Sequence, residues 1–214
     1  RKESDYVEPN RRHWHGWFED ELKKNGYQVE NPIMPKDWKP DYQAWKEVID
    51  KMKVDEKTIL IGTSAGAALV IKWLIETGKK VKKVILNAPS YFLEERKERI
   101  KGFVDFKITP DLKKQFEELT VFISNDSPET IKSAYHYAEK LDGKLIELKN
   151  RGHFCISDNP INKEFPELLE TVLDINKCFT GEGIAVNSGD FDGLKTKEFM
   201  PKIIKWLETK KLGK

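Results

Sequence analysis

The sequence holds only two cysteines, Cys155 and Cys178, and no Cys-x-x-Cys or Cys/His cluster with the spacing a zinc site needs. That scarcity argues against a disulfide-stapled scaffold and suits a reducing, cytoplasmic setting. No apolar run approaches the roughly 18 residues of a membrane-spanning helix. No basic start followed by an apolar stretch marks a signal peptide. Charge of one sign is also missing: 38 Lys and Arg stand against 36 Asp and Glu, a net charge of +2. Such a balance leaves no electrostatic footprint for nucleic acid, so neither nucleic acid nor a membrane is expected as a partner. Internal repeats and low-complexity tracts are absent as well. What the chain does have is 214 residues, 38% hydrophobic content, 6 Trp and 11 Phe, enough for one α/β core with or without an appendage.

Short apolar runs alternate with amphipathic stretches. Trp14, Trp17, Phe18 and Leu22 fall on one stripe of a helix over 13–25, stopped by Gly26. Residues 27–30 read as a short strand. Asp41 is placed to cap a helix reaching about Met52. Strands are expected at 58–61, 81–88, 119–124 and 144–149, and helices from the Ser64 region to Thr77, from Pro110 to about Glu118, over 128–141 and over 164–173. Strands that alternate with helices predict βαβ units, hence a mostly parallel sheet with helices on both faces. The one long irregular stretch, 90–108, carries the charge run 94–99. That run reads as a solvated face, or as a loop that shapes a substrate pocket.

Chemistry enters at Gly62-Thr63-Ser64-Ala65-Gly66. This G-x-S-x-G stands between the apolar strand Ile59-Leu60-Ile61 and the apolar helix start Ala67-Ala68-Leu69-Val70-Ile71. A strand turning sharply into a helix excludes large side chains two residues either side of the bend, and it projects the serine from a tight turn. A serine hydroxyl needs a base to take its proton and a third group to orient that base. The strand LTVFIS runs into Ser124-Asn125-Asp126-Ser127-Pro128, which leaves Asp126 just past its end. The strand KLIELK runs into Asn150-Arg151-Gly152-His153-Phe154, which leaves His153 just past its own. Serine, aspartate and histidine thus follow three strand ends in the order of the α/β-hydrolases. The bland alternatives are an Asp126 that merely caps the helix after Pro128 and a His153 that bonds only its own loop. His13 and His15 lie in or before the Trp-rich helix, and His136 sits mid-helix, so neither position suits the base. Asp105 and Asp111 do not follow directly on a strand end.

I-G-T-S-A-G-A, S-N-D-S-P, R-G-H-F and F-P-E-L-L resemble the small α/β-hydrolases of the retinoblastoma-binding-protein serine hydrolase family. The stretch W-H-G-W-F-E-D-E-L-K-K-N-G-Y is similar to that family's first helix and second strand. The resemblance covers roughly residues 11–173. It implies a hydrolase without a large cap and without a cofactor, acting on a small-molecule acyl substrate, a small ester or peptide-like acyl group. On this sequence the implied roles fall on Ser64 as nucleophile, Asp126 as orienting acid and His153 as general base, with the Ala65 N–H in the oxyanion hole.

Two departures from the family stand out. Members begin with an apolar strand ending in His-Gly, whose following loop supplies the second oxyanion donor. Here His15-Gly16 follows D-Y-V-E-P-N-R-R-H-W, which is no strand, and falls inside the first helix. An oxyanion hole short of one donor loses about 10²–10³ in turnover. The second departure is the stretch 174–214, a Gly-rich segment with a strand-like Gly183-Ile184-Ala185-Val186 and a helix expected over 199–209. It is expected to pack on the hydrolase-like domain of residues 1–173. Two rival readings remain. One is a non-catalytic interaction protein that keeps a hydrolase scaffold for a protein partner. The other is a serine peptidase of the glutamine-amidotransferase-like class, against which stands the lack of any histidine between Ser64 and His136.

Overall fold

The computed structural model describes residues 8–92 and 100–174. Four strands, β1 (Ile59–Thr63), β2 (Val81–Asn87), β3 (Phe116–Ile123) and β4 (Lys144–Glu147), form one sheet in the order β1-β2-β3-β4. All three pairings are parallel. Five helices accompany them: α1 (His15–Lys24), α2 (Tyr42–Asp50), α3 (Ala65–Thr77), α4 (Pro128–Leu141) and α5 (Pro166–Leu173). The central strands read as continuous apolar runs because both of their faces are covered. Val84, Leu86, Val121 and Ile123 pack with residues of α3 and α4. Ile85 and Phe122, which alternate with them, pack with Trp14, Phe18 and Leu22 at α1 and with Leu168 and Val172 of α5.

Local chemistry sets the element ends. Asp41 caps α2 by accepting the Ala44 N–H at 2.9 Å. α3 buries residues around most of its circumference, Ala67 through Ile71 with Trp73 and Leu74, as a helix between a sheet and an outer layer should. It ends at Gly78 with φ 64°, a left-handed cap that glycine takes without strain. Ser127 caps α4 by accepting the Thr130 N–H, and Asp142 closes that helix with φ 56°. Within β2 the one charged side chain that is buried, Lys83, reaches Glu118 Oε2 and the Thr171 carbonyl, each at 3.0 Å.

Several boundaries move, and one element disappears. Residues 27–30 form no strand, for they join neither the four-stranded sheet nor any other ladder among the described residues. Pro110 opens a 3₁₀ turn that stops at Gln115, and β3 begins at Phe116, three residues ahead of the apolar run. Glu117 and Glu118 at its start are polar and interrupt the apolar pattern, yet Phe116 already pairs with Val81. β1 runs two residues further than the apolar signal, to Thr63, since its backbone stays in register with β2 up to Asn87. His15 and Gly16 do sit in the first turn of α1. The charge run 94–99, the strand-like 183–186 and the helix expected over 199–209 lie outside the described residues, as does most of the stretch 174–214. No helix among the described residues is long and apolar enough to cross a membrane.

The outer edge of β1 borders a cleft of about 840 Å³ that reaches from the strand's elbow end between the two helix layers. Trp14, Phe18 and Leu22 line one wall and Trp45, Ile49 and Met52 line another.

Candidate active site

Because the strands are parallel, their carboxyl ends lie along one edge of the sheet, where α/β folds place their ligands. Ser64 follows β1 directly and adopts φ 55°, ψ −118°. A non-glycine residue in that region carries strain of about 1–3 kcal/mol and needs its surroundings to hold it. Here they do. The Ser64 N–H donates to the Asn87 carbonyl at 3.0 Å, and the Ser64 carbonyl accepts from Ala67 and Ser90 at 3.1 and 3.2 Å. The two glycines of the motif are unequal. A Cβ on Gly62 would sit 2.5 Å from the Gly66 carbonyl oxygen and 2.7 Å from the Ala67 N and Cα, whereas one on Gly66 would meet nothing within 4 Å. Only Gly62 is demanded by close approach. Ala65 is the first residue of α3, so its N–H belongs to the first turn, whose N–H groups have no partner within the helix.

Asp126 leaves β3 through a tight turn in which its N–H donates to the Ser124 carbonyl at 2.9 Å. It does not cap α4; Ser127 does. One Asp126 oxygen, Oδ1, accepts the Ser127 N–H at 2.6 Å, and the other, Oδ2, lies 2.5 Å from His153 Nδ1. The aspartate side chain is 10% exposed and the imidazole 28%. A proton on Nδ1 directed at the carboxylate leaves Nε2 as the basic, accepting nitrogen. The two loops sequence patterning singled out are therefore joined through the Asp126 and His153 side chains. Asp105 instead pairs with Lys72 and Asp111 with Lys114.

The loop that carries His153 is fixed by residues that sequence reasoning passed over. Asp158 Oδ2 accepts the N–H groups of His153 and Cys155 at 2.8 and 3.2 Å. Gly152, with φ 55°, makes room for it, since a Cβ there would fall 2.6 Å from the Asp158 Cβ. Arg151 is buried and donates to Glu167 Oε2 at 2.7 Å, to Asn162 Oδ1 and to the Ile161 and Glu164 carbonyls. Phe154 stacks on Phe165 with ring centroids 4.9 Å apart. A glycine before the histidine was the only signal in the sequence, and it named neither Asp158 nor Arg151.

The other histidines are engaged elsewhere. His13 Nδ1 accepts the Ile156 N–H at 3.1 Å, and burial lowers its pKa, with the Arg12 charge adding to the effect. His15 stacks on Trp14 at 3.9 Å, and burial pushes its pKa down to about 4. His136 lies against Tyr91 and Phe92. Cys155 is a free thiol whose pKa burial raises.

Known proteins agree with this architecture. The chain is 29% identical to serine hydrolase RBBP9 of Rattus norvegicus over 163 residues, 74% of this chain and 84% of that protein. Among solved structures, the ydeN gene product of B. subtilis matches with a TM-score of 0.71 at 17% identity, covering 78% of this chain and 92% of that one. A YdeN-like hydrolase of Pectobacterium atrosepticum gives 0.58 at 18% identity over 78% and 83%. A short stretch of 56 residues is 45% identical to leucine–tRNA ligase of Thermotoga maritima, 26% of this chain but 6% of that protein. The serine hydrolase family matches residues 5–167, the span that holds the elbow and the loops of Asp126 and His153, and the chain belongs to that family.

Proposed function

We propose that the chain hydrolyses small ester or peptide-like acyl substrates through an acyl-enzyme on Ser64. Ser64 Oγ attacks the carbonyl carbon while its proton passes to His153 Nε2. Asp126 holds the imidazole in the tautomer that can accept that proton and stabilises the imidazolium it becomes. The Ala65 N–H faces the oxyanion that develops. Collapse of the tetrahedral intermediate breaks the bond to the leaving group, which takes the proton from His153. A water then repeats the cycle, with His153 as base, and releases the acid and free Ser64. The observation that carries this reading is the Asp126–His153 pair, 2.5 Å apart at the ends of neighbouring strands of the same edge at which Ser64 stands in a strained elbow.

Labelling with a fluorophosphonate probe, followed by mapping of the adduct, tests it. Ser64 should be the one serine modified, and Ser64→Ala should abolish labelling and turnover. Labelling at a different serine, or none in a folded sample, removes the reading.

A further inference from the structure

β3 and β4 stay in register through the pair Ile123–Glu147, and the last backbone rung is the Leu148 N–H donating to the Ile123 carbonyl at 2.8 Å. Beyond it the two chains separate into loops, yet three further contacts follow in strict order. The Arg151 N–H donates to Ser124 Oγ at 2.9 Å, the Gly152 N–H donates to Asn125 Oδ1 at 3.3 Å, and His153 Nδ1 meets Asp126 Oδ2. Each joins residues 27 apart in sequence. Side-chain oxygens have taken over where backbone carbonyls stopped, so the zipper of the sheet runs on to the acid–base pair. The first two teeth are themselves linked, because the Ser124 hydroxyl donates to Asn125 Oδ1 at 2.8 Å. Ser124 is 3% exposed, whereas Asn125 is exposed, so the zipper is anchored in the core and ends at the surface beside Asp126.

We infer that Asn125 is a positioning residue: its side-chain oxygen holds the Gly152 amide one step before His153 and thereby fixes the imidazole against Asp126. The inference rests on the proposed roles of Asp126 and His153. Asn125 touches no reacting atom in it and acts through the pair alone. Its amide oxygen accepts two hydrogen bonds at once, which an alanine methyl cannot do. Without it, Gly152 and the imidazole gain freedom to drift, and displacements near 1 Å cost up to about 10²-fold in turnover.

The test uses Asn125→Ala, Asp126→Asn and the double variant of the full chain. Asn125→Ala should melt close to the parent, keep KM for a p-nitrophenyl ester and lower kcat by about 10-fold or more. In the Asp126→Asn background the same change should cost little further, because the pair through which it acts is already broken. Proton NMR gives a readout independent of turnover. The parent should show a downfield His153 Nδ1 proton that broadens or moves upfield in Asn125→Ala. An unchanged kcat, a loss equally large in both backgrounds, or a His153 proton identical in parent and variant would overturn the inference. A parent that is not labelled at Ser64 by a fluorophosphonate would overturn the hydrolase reading instead, while the NMR comparison would still decide whether Asn125 positions His153.

Discussion

Replacing each glycine of the elbow by alanine separates the demands of the turn from those of the motif. At Gly62 the added methyl would lie 2.5–2.7 Å from three atoms, the Gly66 carbonyl oxygen and the Ala67 N and Cα. All three are backbone, and all belong to the first turn of α3, which is packed against the sheet and cannot move aside as a side chain would. Overpacking of this kind costs typically about 1–3 kcal/mol, and the fixed neighbours put Gly62→Ala at the upper end. At about 2–4 °C per kcal/mol for a chain of this size, the melting temperature should fall by roughly 6–12 °C. Gly66 stands in the same helix with open space where its Cβ would be. Gly66→Ala should therefore be neutral or raise stability by up to about 1 kcal/mol, the helix-propensity difference. Thermal and urea unfolding of the two variants, side by side, checks the contrast. Gly62→Ala should also lose fluorophosphonate labelling in the protein that remains folded, since relieving the clash displaces Ser64. Equal melting temperatures for the two variants, or a more stable Gly62→Ala, would refute the close-approach reasoning.

Asp126→Asn should leave the fold intact, because Ser127 and not Asp126 caps α4. It should reduce kcat by about 10⁴-fold through loss of the correct imidazole tautomer, with circular dichroism and steady-state kinetics as the checks. Unchanged turnover would reassign the acid. His15 provides a pH test. Burial is the main cause that holds its pKa at about 4, against 6.5 in an open chain, with the hydrogen bond to the Arg12 carbonyl opposing it. Between those values the unfolded chain binds a proton that the folded one does not. Its contribution is thus complete above pH 6.5 and is lost as the pH falls toward 4, by up to about 3 kcal/mol. His15→Phe, which keeps a ring against Trp14, should flatten that part of the stability profile measured by urea unfolding at pH 7, 5 and 4. Profiles that run parallel would show that His15 is not the group responsible.

Much of this protein was determined by its sequence alone. Apolar runs of strand length alternating with amphipathic stretches specify a parallel sheet between helices, because strands buried on both faces must be apolar throughout. α4 appeared with both ends as expected, 128–141, since Pro128 at its start and the Asp142-Gly143 stop act within a single turn. The three candidate residues were legible for a related reason: Ser64 follows β1 directly, Asp126 and His153 stand three and six residues past the ends of β3 and β4, and in a parallel sheet every strand ends at the same edge. Contacts between distant segments were decided only by the tertiary structure. Nothing local marks Asp158 as the carboxylate that fills the space over Gly152, or Arg151 as a buried cation gathering Glu167, Asn162 and two carbonyls. Nor does the motif reveal that Gly62 is crowded while Gly66 is open. That residues 27–30 form no strand was likewise decided by what lies beside them, because a strand exists only where a neighbour completes its hydrogen bonds. The same holds for the pairing of Asn125 with Gly152. Sequence patterns report what a residue's own turn of chain requires, and partners more than a few residues away are chosen by the packing of the sheet and its loops.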